Sequence, residues 1–183
     1  MPPAPTLPLA PRPLAVLVTH LPLAPLSALL SALCTDLDRR HPALRRRLGP
    51  YAGRRFLLEL TDLPLALLLE PEALRITAHR RHQPPHEARI SGPLSAFLGM
   101  THGRLDGDAL FFSRDLTIAG DTGAALALRN AIDDAELDLG AELLARLPPL
   151  PPLHRALTHA FARAERLTGL ALTRATFRTT GSA

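Results

Sequence analysis

Three histidines within eight residues, His79, His82 and His86, are the closest this sequence comes to a metal-binding motif, since imidazole nitrogen is a common ligand. They straddle the Pro-rich run Arg80-Arg81-His82-Gln83-Pro84-Pro85 without a cysteine near them, which reads as an exposed turn rather than a zinc site. Two carboxylate pairs, Asp106 with Asp108 and Asp133 with Asp134, have the residue types that a general acid and a general base require. The first pair stands in an Asp-Gly-Asp turn and the second on the polar side of an amphipathic helix, so turn chemistry and a solvated face account for them. Cys34 is the single cysteine, which rules out a disulfide within the chain and fits a reducing compartment. Nothing beside it in sequence supplies a base, and it reads as a buried helix residue. There is no G-x-S-x-G elbow, no phosphate loop, no G-x-G-x-x-G and no C-x-x-C. The expectation is a protein with no catalytic residues, no metal ligands and no cofactor.

Charge leaves more room. The formal net charge is +4 and the densest cationic cluster is Arg39-Arg40-His41-Pro42-Ala43-Leu44-Arg45-Arg46-Arg47. It reads either as a solvated helix end, where cations favour the C-terminal dipole, or as a contact for an anionic membrane surface. Nucleic acid is the poorest fit, because no aromatic residues interleave with the arginines and no helix-turn-helix or zinc-finger spacing occurs.

The elements that would position these groups follow from hydrophobic spacing. Residues 1–25 are rich in Pro, Leu and Ala and read as a partly ordered segment whose leucines rest on the domain or dip into a membrane interface. A secretory signal is a poor fit, with a thin basic start and prolines at 22 and 25; a membrane span over 14–33 is equally poor, at minimal length with two prolines and a histidine. Leu26, Leu29, Leu30, Leu33 and Leu37 predict a helix over 26–40, which Pro42 ends or breaks, with a short turn over 43–48. Alternation predicts strands over 55–60, 65–70, 74–79 and 87–92, the first two apolar on both faces, so that each face needs a cover or a ligand. A short helix over 93–103, a stiff connector at 148–152 and a basic amphipathic helix over 153–167 complete the pattern, with the last helix closing a pocket, lying on a bilayer or packing on the domain.

Residues 109–137 organise the rest. Leu116 and Ile118 alternate with Thr117 as in a half-buried strand. Gly120 can take angles denied to other residues, and Asp121 can accept the free N–H groups of the helix that starts at Thr122 and carries Ala125, Leu128, Ile132 and Ala135 on one stripe.

This stretch carries a family likeness. Phe111-Phe112-x-x-x-Leu116-x-Ile118-x-Gly120-Asp121-Thr122, then Leu126-x-Leu128-x-Asn130 and Asp133-x-Ala135-Glu136-Leu137, resembles the sterol carrier protein type two domain, and within that family the accessory factors of bacterial ubiquinone biosynthesis. The likeness is dense over about thirty residues and holds by pattern from roughly 25 to 167. It implies an α+β fold with a mostly antiparallel or mixed sheet of about five strands, covered by helices around an apolar tunnel. It implies a lipid-binding domain over 26–167, preceded by the segment 1–25 and followed by a polar tail over 168–183. The implied role is non-catalytic: holding a ubiquinone precursor or other lipid beside ubiquinone-biosynthesis proteins, in the oxygen-independent pathway alongside two peptidase-like hydroxylation partners. The implied location is the cytoplasm, with peripheral contact to the inner membrane.

The residues themselves permit such a role. Phe56, Leu58, Leu67, Leu69, Ile76, Ile90, Phe97, Phe111, Phe112, Leu116, Ile118 and Leu128 exceed what pattern alone assigns to a core, and are the candidates for lipid contact. A prenyl chain gains about 25 cal/mol per Å² of apolar area removed from water, so a tunnel can hold one without specific polar contacts. Two other roles stay open: a scaffold that binds a protein through the basic terminal helix, and a general lipid carrier.

Overall fold

Prolines open the helices of this chain. In a computed structural model, which describes residues 7–80, 83–101 and 115–135, α1 spans Arg12–His20 and α2 spans Leu23–Arg40. Pro13 and Pro25 each sit in a first turn, where the missing N–H would have had no partner. This corrects two expectations: residues 12–20 are helical, and α2 begins three residues before the predicted 26, because these prolines start helices instead of interrupting a run. Pro42 does break the next helix, so that α3 runs over Ala43–Leu48 and leads through a short 3₁₀ turn at Gly49–Tyr51 into the sheet.

The strands are β1 Phe56–Leu60, β2 Leu65–Glu70, β3 Arg75–His79, β4 Ala88–Gly92 and β5 Thr117–Gly120, in the spatial order β3-β2-β1-β4-β5. β1 and β4 run parallel and the other neighbours antiparallel, so the sheet is mixed and open. β3 starts one residue late because Leu74 takes a left-handed conformation (φ 49°) in the turn from Pro71. α4 covers Leu94–Thr101 and α5 covers Thr122–Ala135.

The β5-to-α5 junction has the geometry its residues predict. Gly120 has φ 79°, and a Cβ there would lie 2.4 Å from the Glu87 carbonyl oxygen, so only glycine fits. Asp121 Oδ1 accepts from the Ala124 N–H at 3.0 Å and caps α5.

The register sorts side chains onto two unlike faces. One carries Ile76, Leu69, Phe56, Ala88 and Gly120 in one row, then Ala78, Leu67, Leu58, Ile90 and Ile118, then Leu65, Leu60 and Gly92. The other begins apolar with the buried Leu57, Ala66 and Leu68 and then turns polar. There Glu59 accepts from Ser91 Oγ at 2.8 Å and from Gln83 Nε2 at 3.1 Å, and lies 3.8 Å from Arg89. The expectation that β1 and β2 are greasy on both faces therefore holds for only part of the second face, since Glu59 finds polar partners on β4 that lie far from it in sequence.

Candidate functional site

The continuous apolar face is the surface on which a hydrophobic ligand could lie, and its two ends are built differently. Toward β4 and β5 it disappears under α3, α4 and α5: Phe56, Ile90, Leu116 and Leu128 join Leu48, Ala124, Ala125 and Ala131 in one cluster, none more than 5% exposed. At the β1–β2 turn a second cluster unites Leu60 and Leu63 with Val18, and Leu14, Ala15, Leu94 and Phe97 rest on it. Between them Leu58, Leu67, Leu69 and Ile76 stay half-buried, paired as Leu58 with Leu67 and Leu69 with Ile76, and neither cluster includes Leu67 or Ile76.

α2 frames this patch without burying a single residue of its own. It lies along the edge strand β3, and its serines serve that strand's outward backbone groups. Ser31 Oγ accepts from the Ile76 N–H and donates to the Ile76 carbonyl, each at 3.0 Å, and Ser27 Oγ accepts from the Ala78 N–H at 2.9 Å. A strand edge that would otherwise stand open is thus closed by side chains one helical turn apart. The helix is held to the sheet by polar bonds at its edge, and its half-buried leucines, Leu26, Leu30, Leu33 and Leu37, stay loosely covered.

Of the twelve residues proposed for lipid contact, Phe56, Ile90, Leu116 and Leu128 are packed core, while Leu58, Leu67, Leu69, Ile76, Phe97 and Ile118 are half-buried on or beside the apolar face. Phe111 and Phe112 lie outside the described residues, as do Asp106, Asp108, His82, the side chains of Asp133 and Asp134, and the elements expected beyond residue 135. The expected tunnel is not among the three best-formed clefts seen at the described residues. These are a basic one of about 250 Å³ at Arg40, His41, Arg46 and Arg47, an open one of about 410 Å³ near Leu9, Ser91 and Thr117, and one of about 350 Å³ at Arg55 and Glu72.

Three side chains that no motif announces hold the frame together. Asp62 accepts from Leu94 N–H at the start of α4 (2.9 Å) and from Ala10 N–H (2.8 Å), tying the N-terminal segment to the β1–β2 turn. Arg80 donates to the carbonyls of Val18 and Leu21 at the end of α1, so the loop after β3, expected to be exposed, is anchored at its first residue, and Pro84 within it is buried. Glu87 accepts from the Arg55 backbone N–H at 2.7 Å and from its guanidinium at 2.8 Å, aligning the starts of the parallel strands β1 and β4. The Arg55 side chain first, and its backbone N–H second, lower the Glu87 carboxyl to about 2. Partners this far apart in sequence leave no local signal.

The groups with reactive chemistry have structural surroundings. Cys34, expected to be buried, is only half-buried on α2; that partial burial first, and Asp38 second, push its thiol up, which disfavours the nucleophilic thiolate. His79 Nε2 shares a hydrogen bond with Thr77 Oγ1 at 3.0 Å, and His86 Nδ1 with the Pro84 carbonyl at 2.8 Å. Among the described residues no group of three His, Cys, Asp or Glu is placed to hold a metal ion.

Comparison with known proteins places this architecture. A ubiquinone synthesis protein, UbiJ-SCP2, superposes with a TM-score of 0.51 at 20% identity, covering 65% of this chain and 98% of that one. A sterol carrier protein 2 crystal structure gives 0.44 at 19% identity over 60% and 95%, and the sterol carrier protein domain 2 of Helicoverpa armigera gives 0.45 at 10% over 66% and 89%. Comparison with curated protein sequences returns no match. The model of the SCP-2 sterol transfer family matches residues 34–133, from the middle of α2 to the last turns of α5, which takes in the whole sheet and more than half of the sequence. With its open mixed sheet, its apolar face and its edge-covering helix, the chain belongs to the SCP-2 sterol transfer family.

Proposed function

We propose that this protein is a non-catalytic lipid-binding factor that holds a polyprenylated ubiquinone precursor against the half-buried part of its sheet and presents it to biosynthetic enzymes. The carrying observation is the patch of Leu58, Leu67, Leu69 and Ile76, apolar and incompletely covered on a face where Phe56, Ala88 and Ile90 are closely packed. Family membership supports lipid as the ligand, and the ubiquinone synthesis protein among the similar folds favours a prenylated quinone precursor over other lipids. Within the family the dense likeness around residues 109–137 favours a UbiT-like accessory role in the oxygen-independent pathway, in the cytoplasm, beside other ubiquinone-biosynthesis proteins. Six of the twelve sequence candidates, Leu58, Leu67, Leu69, Ile76, Phe97 and Ile118, are the residues assigned to the ligand surface.

Organic extraction of purified protein followed by lipid mass spectrometry tests this reading. A prenylated aromatic species is the expected result. Recovery of phospholipid alone would favour a general lipid carrier. Protein free of any lipid, and unable to take up a prenylquinone from micelles, would overturn the proposal.

A further inference from the structure

The half-buried patch is framed on its sides by helices, and one of them is held differently from the rest. α2 stands along β3, and α5 descends on the β4 side. At the Ile76–Leu69 end, Leu69 packs on the main cluster with Leu44, Tyr51 and Ala52, and the Glu72 N–H donates to the Ala52 carbonyl at 3.2 Å. At the opposite end, Leu60 and Leu65 follow Leu58 and Leu67 on the same face, two residues or about 7 Å along their strands. There α1 supplies the cover: Val18 joins Leu60 and Leu63 in one cluster, with Leu14, Ala15 and the ligand-surface residue Phe97 packed on it.

The attachment of α1 is thin. It buries one residue, Val18, whereas α5 buries Ala124, Ala125, Leu128 and Ala131. A polar latch fixes each of its ends instead. The Ala10 N–H donates to Asp62 Oδ2 at 2.8 Å just before the helix, and the Arg80 guanidinium donates to the Val18 and Leu21 carbonyls where the helix finishes. The second latch is imperfect, because Arg80 Nε is buried without a hydrogen-bond partner. A buried N–H with no acceptor opposes the closed arrangement, and water satisfies it once the helix lifts. Beyond the latch, Leu21 (φ −65°, ψ 129°) and Pro22 (φ −64°, ψ 126°) are both extended, and α1 and α2 meet across them at 103°. Such a joint lets α1 swing as a unit while α2 keeps its serine bonds to β3. α1 also lies wholly outside the segment that the family model matches, so it is an addition to the matched sheet.

From this we infer that α1 is a latched lid over the β1–β2-turn end of the ligand surface, hinged at Leu21–Pro22 and released by breaking the Asp62 and Arg80 contacts. The inference rests on the reading of the half-buried patch as the ligand surface. A lid and a ligand contact have different kinetic signatures. Weakening a contact changes release alone and so changes the affinity, whereas weakening a lid speeds uptake and release in the same proportion and leaves their ratio in place.

The test uses the full-length protein and ubiquinone-2, a prenylquinone with a two-isoprene tail, as the probe. Its uptake from detergent micelles and its release to them are timed, and amide exchange of the same proteins is read by mass spectrometry. In the native chain the amides of α1 should exchange faster than those of α5, since a lid opens well below global unfolding. Arg80→Met removes both donors and the orphaned N–H, and should speed α1 exchange, uptake and release together by about fivefold or more with Kd unchanged within about twofold. Asp62→Asn attacks the other end. It keeps one acceptor for the α4 N-terminus in place of two, and should move both rates in the same direction by about twofold. Native α1 amides as slow as those of α5, ubiquinone-2 rates indifferent to Arg80→Met, or a change in release alone with a shifted Kd would each overturn the lid while leaving the ligand surface standing. A native protein that takes up no ubiquinone-2 would overturn the ligand reading, and the lid with it, so the two failures are distinguishable.

Discussion

Two halves of one sheet face carry nearly the same residue types and end in different states. Beneath α5, small residues let the helix approach closely: Ala124, Ala125 and Ala131 are at most 1% exposed and Leu128 is 4% exposed, and Phe56 and Ile90 below them are shut off from water. Beside α2, which is longer and richer in leucine, the helix stands at the sheet edge on serine hydrogen bonds and buries none of its residues. Leu58, Leu67, Leu69 and Ile76 consequently stay half-covered. Apolar content alone does not decide between core and site. How closely the covering helix can descend decides it, and that is set by alanines in one half and by polar edge contacts in the other.

The sharpest test of the contrast is truncation in the closed half. Phe56→Ala should lower the unfolding free energy by about 3–5 kcal/mol, measured by urea denaturation, because a fully buried ring leaves a cavity that its neighbours cannot fill. A cost below about 1 kcal/mol would mean that this half is not the close-packed one. Ser31→Ala attacks the hinge of the comparison. It removes both the acceptor for the Ile76 N–H and the donor to the Ile76 carbonyl, and should cost about 1–2 kcal/mol while speeding amide exchange along β3 relative to β1. Leu67→Ala in the open half should cost about 1 kcal/mol, well under the Phe56 value, and yet reduce copurified lipid more than its stability loss explains. Equal losses at Phe56 and Leu67 would erase the distinction between the halves.

The smallest effect belongs to the ion pair that aligns β1 with β4. The Glu87 carboxyl is lowered to about 2 in the folded protein, against about 4.3 in an unfolded chain, so its contribution is complete above the unfolded value and is lost as the pH falls toward 2. Glu87→Gln should therefore lower Tm at neutral pH and flatten its decline between about pH 5 and 2, as scanning calorimetry would record. An unchanged acid decline would show that other carboxylates dominate it.

Where an element depends on its own residues, the sequence is readable. The strands lie within one residue of their alternation, Gly120 and Asp121 do what their types require, Pro42 breaks the helix, and the absence of a catalytic motif is a property of the chain itself. The prolines of the first 25 residues were ambiguous because the same residue ends one helix and starts another, and only the neighbours on the β1–β2 turn resolve it for α1.

The alternation of the strands and the α+β order of elements could be read from spacing, because period is local and each residue carries its own share of it, while the family likeness rested on the particular residues of 109–137. Which leucines are core and which are site was decided only in three dimensions. Burial depends on what descends from elsewhere in the chain, and the contacts that set it, Ser31 to Ile76, Asp62 to Ala10 and Arg55 to Glu87, join residues 32 to 52 positions apart. No window of sequence contains both partners of such a bond. The same separation explains why the open patch is invisible in the sequence and plain in the fold.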